Sequence, residues 1–543
     1  MLITINPARG AGLWHGVFAA MYVGMQAVFT APGVPRESGV RWLQAATTLG
    51  ASVVLADHDV LAATEPSLTE KALRHVRLHR LRQLVVCAEG PSSTATFDFA
   101  KKLRVAGLDS NAVVPALGTM QAGPISFRSP QMAPQYLTLS LRALSFGVVR
   151  PSAHDSDATE IADAGIVVPG GALAIVSLDS AAVAREDEIG EIVLSHPGTG
   201  RAYWGLAAKT QRTFQMTPIS DGTVDVPAGQ YVRTGLVGFI LRGREGDQPP
   251  GSGVGYPDGV GSSARLFVTG TRRGLLRVDG RLHNEADVLE TVCRGAGAYD
   301  VELFKSRVAF FTVSVVGHDR LVCVLEVAHD AFASSDEANA AMARLIRLVK
   351  EHNEINLFAL ALVPAGSLTK TTDGTPDAFS VRRHFLDGNL HPLYLNINAE
   401  RCINNLPLAN QDAASHGGRV AMPSALGPLA HLAAINAKTT AVTAGPALDT
   451  DTALPRTMAE ALCLRGDEHT AGSGRPLCSV YVDRAEEAVT GAQLLRRVRR
   501  LAYLLRKRNV PVGAAVALLY PPGIDLIVAF QACIYVGAVP FLL

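Results

Sequence analysis

Residues 84–117, LVVCAEGPSSTATFDFAKKLRVAGLDSNAVVPAL, decide the fold class of this chain. Leu84–Ala88 is a short apolar run that is typical of a buried strand, and Asn111–Leu117 predicts the next strand. Between them, Ser92 or Ser93 can cap a helix that ends at the following glycine. Strands that alternate with helices indicate a parallel or mixed sheet covered by helices. We therefore expect an α/β fold with large layered subdomains and mixed sheets.

A second, smaller α+β unit is predicted downstream. Arg307–Val316 and Arg320–Val327 are β-rich runs around a Gly-His-Asp turn, which together indicate a hairpin. A helix capped by Ser334 or Ser335 follows, and Ile355–Val363 predicts a further strand. The pattern divides the chain into a large subdomain at 1–241, a Gly/Pro-rich insertion at 242–264, a small subdomain at 265–400, a linker at 401–455 and a new pattern at 456–543.

Composition excludes several classes of protein. Of the 543 residues, 48% are hydrophobic, so the chain is not too polar to fold. The 50 Lys and Arg residues are balanced by 49 Asp and Glu residues, so the chain lacks the excess positive charge of a dedicated nucleic-acid binder. Seven cysteines without C-x-x-C spacing predict neither a metal site nor a disulfide framework. They fit reduced thiols, and we expect a cytoplasmic protein.

Two apolar runs, Gly16–Val34 and Leu526–Leu543, approach the length of a membrane span. A span needs about 20 predominantly apolar residues. Both runs are interrupted by Gly, Gln and Pro, so each is predicted to be a buried helix, a glycine at the helix end and a short buried strand rather than a span.

The predicted helix Gly491–Arg508 is strongly amphipathic. Its apolar face is formed by Leu494, Leu495, Val498, Leu501 and Leu505, and its opposite face is rich in arginine. Such a face can meet phosphates or anionic lipid. We favour a solvated face and keep peripheral membrane contact as the alternative.

Several motifs resemble those of the adenylate-forming superfamily of acyl-CoA synthetases and fatty acyl-AMP ligases. They stand in the family's order: Gly190-Glu191-Ile192, Gly200–Gly205, Arg233-Thr234-Gly235, Gly280–Val288 and Leu368–Thr371. The resemblance implies the adenylate-forming enzyme fold, in which a small α+β C-terminal subdomain moves against the large one. It also implies ATP and Mg²⁺ as cofactors.

A closer resemblance is to the disco-interacting protein 2 family, whose members carry two ligase-like modules in tandem. It rests on Ala11–His15, Arg233–Ile240 (RTGLVGFI), Arg281–Val288, Phe385–Pro392 and Tyr520–Ile527 (YPPGIDLI). This implies a section of such a protein, incomplete at both ends, with most of module one and the opening of module two.

The resemblance also nominates site residues. Ser145, Phe146 and Gly147, together with Arg233 and Thr234, match segments that bind the nucleotide or substrate in the family. Arg273, Arg281 and Lys370 match positions at the hinge or between the subdomains. We predict no metal ligands and name no catalytic residue.

The chain differs from the family pattern at positions that take part in the family's reaction. No phosphate loop precedes Gly12, Arg150 replaces an acidic residue, and Leu236 replaces the aspartate that holds the ribose. The lysine of the last motif falls near Thr375, and Lys370 or Arg382 could substitute only through a different path of the loop. Losing one such contact typically costs 10²–10³ in rate. Module one is therefore expected to be degenerate.

Two functions remain open. The whole protein activates a fatty acid as acyl-AMP through module two, or the section is a non-catalytic acyl- or nucleotide-binding module with a regulatory or scaffold role in lipid metabolism. The expected partners are a fatty acid or acyl group and other proteins, with no nucleic acid and no transmembrane span.

Overall fold

A computed structural model gives the fold of most of the chain. It describes residues 1–7, 10–30, 39–88, 95–130, 132–152, 158–185, 187–220, 222, 224–242, 264–297, 306–315, 318–328, 331–371, 375–398, 438–445, 455–466, 476–482 and 485–542. The insertion expected at 242–264 therefore lies almost wholly outside the described residues, as do Ser92 and Ser93.

The strands begin with a set that runs through the large subdomain. They are β1 Leu2–Ile3, β2 Ala27–Thr30, β3 Val53–Asp57, β4 Gln83–Ala88, β5 Val113–Thr119, β6 Gly123–Phe127, β7 Tyr136–Ser140, β8 Ala158–Ala162, β9 Ile166–Val167, β10 Ala172–Val176, β11 Gly190–Ser195, β12 Val232–Arg242 and β13 Arg265–Thr271. The later strands are β14 Leu275–Val278, β15 Arg281–Asn284, β16 Val308–Val315, β17 His318–Val327, β18 Leu357–Pro364, β19 Tyr394–Ile397, β20 Lys438–Thr440, β21 Val442–Ala444, β22 Pro476–Val482, β23 Ala485–Thr490, β24 Ala515–Leu518 and β25 Val539–Leu542.

The α-helices cover both faces of the sheets. They are α1 Ala20–Val23, α2 Arg41–Thr48, α3 His58–Thr64, α4 Glu70–Leu73, α5 Ala95–Leu103, α6 Leu141–Ser145, α7 Ala207–Phe214, α8 Glu285–Gly295, α9 Ser335–Asn353, α10 Ala378–Leu386, α11 Met458–Gly466, α12 Gly491–Lys507 and α13 Ile524–Val536. A π-helical stretch, Gly12–Ala19, leads directly into α1. Short 3₁₀ turns lie at Glu65–Ser67, Arg104–Ala106 and Ser110–Ala112.

The first sheet has nine strands in the order β23-β22-β2-β1-β3-β4-β5-β6-β9. Its centre is parallel, with Leu84 opposite Val113 where β4 meets β5. The helix between these strands is α5, and Gly107 ends the helical turn that follows it with φ +89°. The α/β prediction from residues 84–117 is thus confirmed, because β4 and β5 pair in parallel and α5 lies between them in the chain.

A second, antiparallel sheet has the order β13-β12-β11-β10-β21, and β20 pairs with β12 outside this path. Strands β20 and β21 lie within the expected linker 401–455, so that expectation needs correction at residues 438–445. Thr439 anchors β20, because its hydroxyl lies 3.0 Å from an Asp187 carboxylate oxygen in a buried contact. Two strands of three residues carry too little local pattern to be predicted from sequence.

The small subdomain is built on the sheet β16-β17-β18-β19. Its first two strands form the expected hairpin, although His318 and Asp319 belong to β17 rather than to the turn. Ser334 caps α9 by accepting a hydrogen bond from the Glu337 N–H at 3.3 Å. The buried residues of α9 include Met342, Leu345 and Val349, which share one apolar cluster with residues of the sheet.

The C-terminal residues share a core with the N-terminal ones. Strand β22 lies parallel to β2, with Ala27 opposite Cys478. Helices α12 and α13 pack against the Gly12–Val23 helical segment in one apolar cluster. Arg465 of α11 donates hydrogen bonds to the carbonyls of Met21 (3.1 Å) and Tyr22 (2.5 Å), where that segment ends. Each apolar run contains a helix, a left-handed glycine and a strand, as predicted. Strand β2 is buried as expected, but β25 is not, because Val539 and Phe541 are exposed. Within the described residues, no helix has both the length and the apolar character to cross a membrane.

Candidate functional site

A buried carboxylate organises the first group of motif residues. Glu191 lies on β11 and is 1% exposed. Arg233 of β12 donates to Glu191 Oε2, and Arg272 donates to the same oxygen at 2.5 Å. Thr234 is fixed to the same strand, because its hydroxyl donates to the Ile192 carbonyl at 2.7 Å. A buried carboxylate is stable only when it is paired and hydrogen-bonded, and here both arginines serve that need.

Leu236 follows this group and points away from it. Its side chain is 2% exposed and belongs to the apolar core that includes Leu173, Leu194 and Ile240. Gly235 has φ +73°, a conformation that favours glycine, and carries the chain through this turn. At the position of the family's ribose-binding aspartate, the chain therefore contributes an aliphatic side chain to the core and no hydrogen-bond acceptor.

A second group lies where the subdomains meet. The Arg281 guanidinium on β15 stands 4.8 Å from the centre of the Phe146 ring, a cation–π distance. Its Nη1 donates to Glu354 Oε2 at 2.8 Å, and Arg142 Nη1 lies 3.8 Å from Glu354 Oε1. Glu354 has φ +54° at the end of α9. The structure thus brings the expected nucleotide-binding segment and the expected interdomain residue Arg281 together.

The neighbours of Phe146 are held by local hydrogen bonds. Ser145 is buried, and its hydroxyl donates to the Arg142 carbonyl at 2.7 Å. Gly147 has φ +78°, and its carbonyl accepts from the Ile189 N–H at 2.9 Å. Ser145 therefore orients helix α6 rather than presenting a free hydroxyl to a ligand.

His283 adds a neutral group to the same interface. Burial lowers the pKa of His283 to about 4, and the positive charge of Arg281 acts in the same direction. Glu354 acts in the opposite direction and is the smaller influence. The imidazole is consequently uncharged at neutral pH and does not add to the positive charge of Arg281 and Arg142.

The remaining candidates lie apart from both groups. Lys370 Nζ is 4.0 Å from Glu326 Oε2, and the Thr375 hydroxyl lies 2.9 Å from that of Thr371. Arg382 Nε donates to the Thr312 carbonyl at 2.9 Å. Arg273 is exposed and has no hydrogen bond or ion pair with the described residues. Among those residues, no hydrogen bond or ion pair joins Lys370 or Arg382 to the Glu191 or Phe146 groups.

At two of the family's positions for ATP and Mg²⁺, the residues present do not fit these ligands. Both arginines near the motif strand are committed to Glu191, and the acidic position of the Ser145–Arg150 segment carries a positive charge. In the described ranges, no group of three or more His, Cys, Asp or Glu side chains is placed to hold a metal ion. A cavity of about 200 Å³ lies elsewhere, between the end of α2 and residues 77–81. It is smaller than the roughly 300–1,000 Å³ of ordinary ligand sites.

Sequence reasoning missed the acidic partners Glu191 and Glu354, and also Arg142 and Arg272. One signal was available for Glu191, which is the single charged residue in the apolar stretch 189–194. A carboxylate in a buried strand requires a cation. Its partners lie 42 and 81 residues away in sequence, and no local pattern identifies them.

The layered sheets, the small subdomain and the motif groups define a protein of the adenylate-forming enzyme fold. A sequence model of the AMP-binding enzyme family matches residues 469–543. A solved structure from a study of fatty acyl-adenylate ligases of E. coli and L. pneumophila superposes with a TM-score of 0.55 and 15% identity. That match covers 72% of this chain and 62% of the other, and it supports the fold alone.

Within this class the chain is a relative of the disco-interacting protein 2 homologues. It is 31% identical to the mouse disco-interacting protein 2 homolog B over 98% of its own length, which is 32% of the mouse protein. The chain therefore spans about a third of the length of such relatives. JamA of Moorena producens, a medium-chain fatty acid–acyl-carrier-protein ligase, is 24% identical over 70% of this chain and 60% of JamA. The family resemblance of the motifs is confirmed.

Proposed function

We propose that residues 1–400 form a ligase-like module that keeps the adenylate-forming fold without forming acyl-adenylates. The observation that carries this proposal is the burial of Leu236, which is 2% exposed. Its side chain packs in the core where the family's aspartate would hold the ribose hydroxyls. Restoring a carboxylate there would require an acidic group among aliphatic neighbours, which is strongly unfavourable.

Two further positions support the same conclusion. Arg150 places a cation where the family uses an acid, and Thr375 stands where its lysine would neutralise developing charge. Each lost electrostatic contact costs about 10²–10³ in rate, so these three changes together remove ordinary turnover. Two side chains that can contact a ligand remain: Phe146 offers an aromatic face, and Arg281 offers a guanidinium beside it. This favours an acyl- or nucleotide-binding regulatory or scaffold module over an active ligase.

We propose that the whole protein activates fatty acids with ATP and Mg²⁺ through a second module, which begins within residues 456–543. The family match at residues 469–543 supports this division. A fatty acid as substrate is supported by the similarity to JamA. The proposal includes a cytoplasmic location and protein partners in lipid metabolism.

An ATP–pyrophosphate exchange assay tests the central proposal. The 543-residue chain, given dodecanoate, ATP and Mg²⁺, is expected to show no fatty-acid-dependent exchange. In the complete gene product, Arg233→Ala is expected to leave acyl-AMP formation within twofold of the unsubstituted protein. Exchange by the chain alone, or its loss in Arg233→Ala, would refute the proposal.

Calorimetry tests whether the chain binds an acyl group or a nucleotide. Titration of the chain with AMP and with dodecanoate is expected to give saturable heat for one of them, reduced at least tenfold in affinity by Phe146→Ala. Arg382→Ala, which removes a cation far from Phe146, serves as the matched control. Absence of heat with both ligands would leave a scaffold role and contradict a binding pocket.

A further inference from the structure

Helix α12 divides sharply into a buried face and a basic face. Leu494, Leu495, Val498 and Ala502 are buried against the C-terminal core. The basic face consists of Arg496, Arg497, Arg500, Tyr503, Leu504, Arg506 and Lys507, all of them exposed. From Gly491 to Ile524 the sequence contains no Asp or Glu, so the helix itself supplies no compensating charge.

Acidic side chains of other described elements also leave most charges of the basic face without an ion pair. The ion pairs among the described residues include none with Arg496, Arg500, Arg506 or Lys507. Arg499, at the border of the face, is hydrogen-bonded to Tyr535 and Cys463. Four cations on one helix face therefore generate a concentrated positive potential, although the whole chain has a net charge of only +1.

Large hydrophobic side chains stand in the middle of this charge. Tyr503 is 66% exposed and Leu504 is 49% exposed. On a helix, residues three and four positions apart are neighbours, so Tyr503 is flanked by Arg500, Arg506 and Lys507. These two side chains give the basic face exposed apolar area beside its charges. Tyrosine is enriched at the headgroup level of bilayers, where its ring contacts apolar groups and its hydroxyl contacts water.

We propose that the basic face of α12 docks on an anionic lipid bilayer. Tyr503 and Leu504 enter the headgroup region, while the flanking arginines and Lys507 meet lipid phosphates and carboxylates. Charge complementarity identifies the bilayer as anionic. The exposed aliphatic side chain of Leu504 beside Tyr503 favours a lipid surface over nucleic acid, because a leucine offers no ring on which a base can stack. The docking is independent of whether residues 1–400 turn over a substrate.

Vesicle sedimentation tests the docking. The full chain is mixed with vesicles of phosphatidylcholine alone or with 30% phosphatidylserine, at about 0.05 M and 0.5 M NaCl. Binding to the anionic vesicles at low salt is expected to be at least tenfold tighter than to the neutral ones, and to fall at least tenfold at high salt. Binding that does not distinguish the two vesicles, or no binding at low salt, refutes the proposal.

Matched variants locate the surface. Arg496→Gln, Arg500→Gln and Lys507→Gln combined are expected to weaken binding at least tenfold. The control combines Arg77→Gln, Arg80→Gln and Arg82→Gln, which remove the same charge from another exposed basic segment. An equal loss in the control would contradict a specific surface.

Tyr503→Ser is expected to weaken binding several-fold while the salt dependence persists, and Tyr503→Trp is expected to restore it. Circular dichroism checks that each variant is folded. A 20-base-pair DNA duplex is the competing ligand, and a preference for the duplex over anionic vesicles would overturn the proposal.

Discussion

At the scale of single residues, charge pairing around Glu191 gives the motif strand a structural role. The carboxylate is buried, and two guanidinium groups converge on one of its oxygens. Arg233, a candidate for substrate binding, is therefore part of the structure of the sheet. Its partner Arg272 lies in the turn after β13, so the same carboxylate links β11 and β12 to that turn.

Glu191→Gln is expected to lower the free energy of unfolding by about 1–3 kcal/mol, because the substitution keeps the shape but removes a charge-assisted pair. The loss is limited because Arg233 and Arg272 are 28% and 46% exposed and can reach water. Urea denaturation measures it. Asp179→Asn, which breaks the exposed pair with Arg277, is the control and should change stability by less than about 0.5 kcal/mol. Equal effects of the two substitutions would contradict the role of burial.

At the scale of elements, the helix–glycine–strand units are set by local sequence. Gly24 and Gly537 both have left-handed backbones, with φ of +77° and +78°, and each ends its helix before a short strand. These units were predictable because their sequence signal is local. An apolar run, a glycine and a second apolar run all lie within about twenty residues. Strands β20 and β21 were not, because their stability comes from the edges of β12 and β10 rather than from their own residues.

Gly537→Ala is expected to destabilise the chain by about 1–2 kcal/mol, since a residue with a Cβ rarely adopts that backbone. The added Cβ would also lie 3.1 Å from Val512 Cγ1. Thermal unfolding followed by circular dichroism measures the change. Gly523→Ser at the start of the same helix is the control, because the Gly523 backbone is extended and a Cβ there has no neighbour within 4 Å. Serine is a favourable N-cap, so a loss in the control equal to that of Gly537→Ala would refute the argument.

At the scale of the whole molecule, residues that are far apart in sequence pair in one sheet and form contacts between side chains. The fold class and the small subdomain could be predicted, since their periodicity is local. The pairing of β22 with β2 could not, because neither strand carries a signal for its partner. The same holds for the site: Arg281 and Phe146 were both nominated, but their contact depends on how the subdomains pack.

Arg465→Met tests the coupling between the two ends of the chain. Arg465 binds two carbonyls at the end of the Gly12–Val23 helical segment, where a positive charge also favours the helix dipole. Its loss is expected to speed amide hydrogen exchange about tenfold in both β2 and β22. Arg500→Met on the exposed face of α12 is the control and should leave both strands protected. Faster exchange in only one of the two strands would show that the ends open independently.

The pairing of β2 with β22 also has a consequence for biosynthesis. Ala27 leaves the ribosome about 450 residues before its partner Cys478, which at 5–20 residues per second is a delay of about 20–90 s. Until then, among the described residues, only β1 pairs with β2, whose apolar sequence is Ala27-Val28-Phe29. A strand that lacks a partner on one side can pair with a neighbouring chain. On polysomes, where many copies carry the same strand at once, β2 is therefore a site for misassembly until residues 476–482 are made.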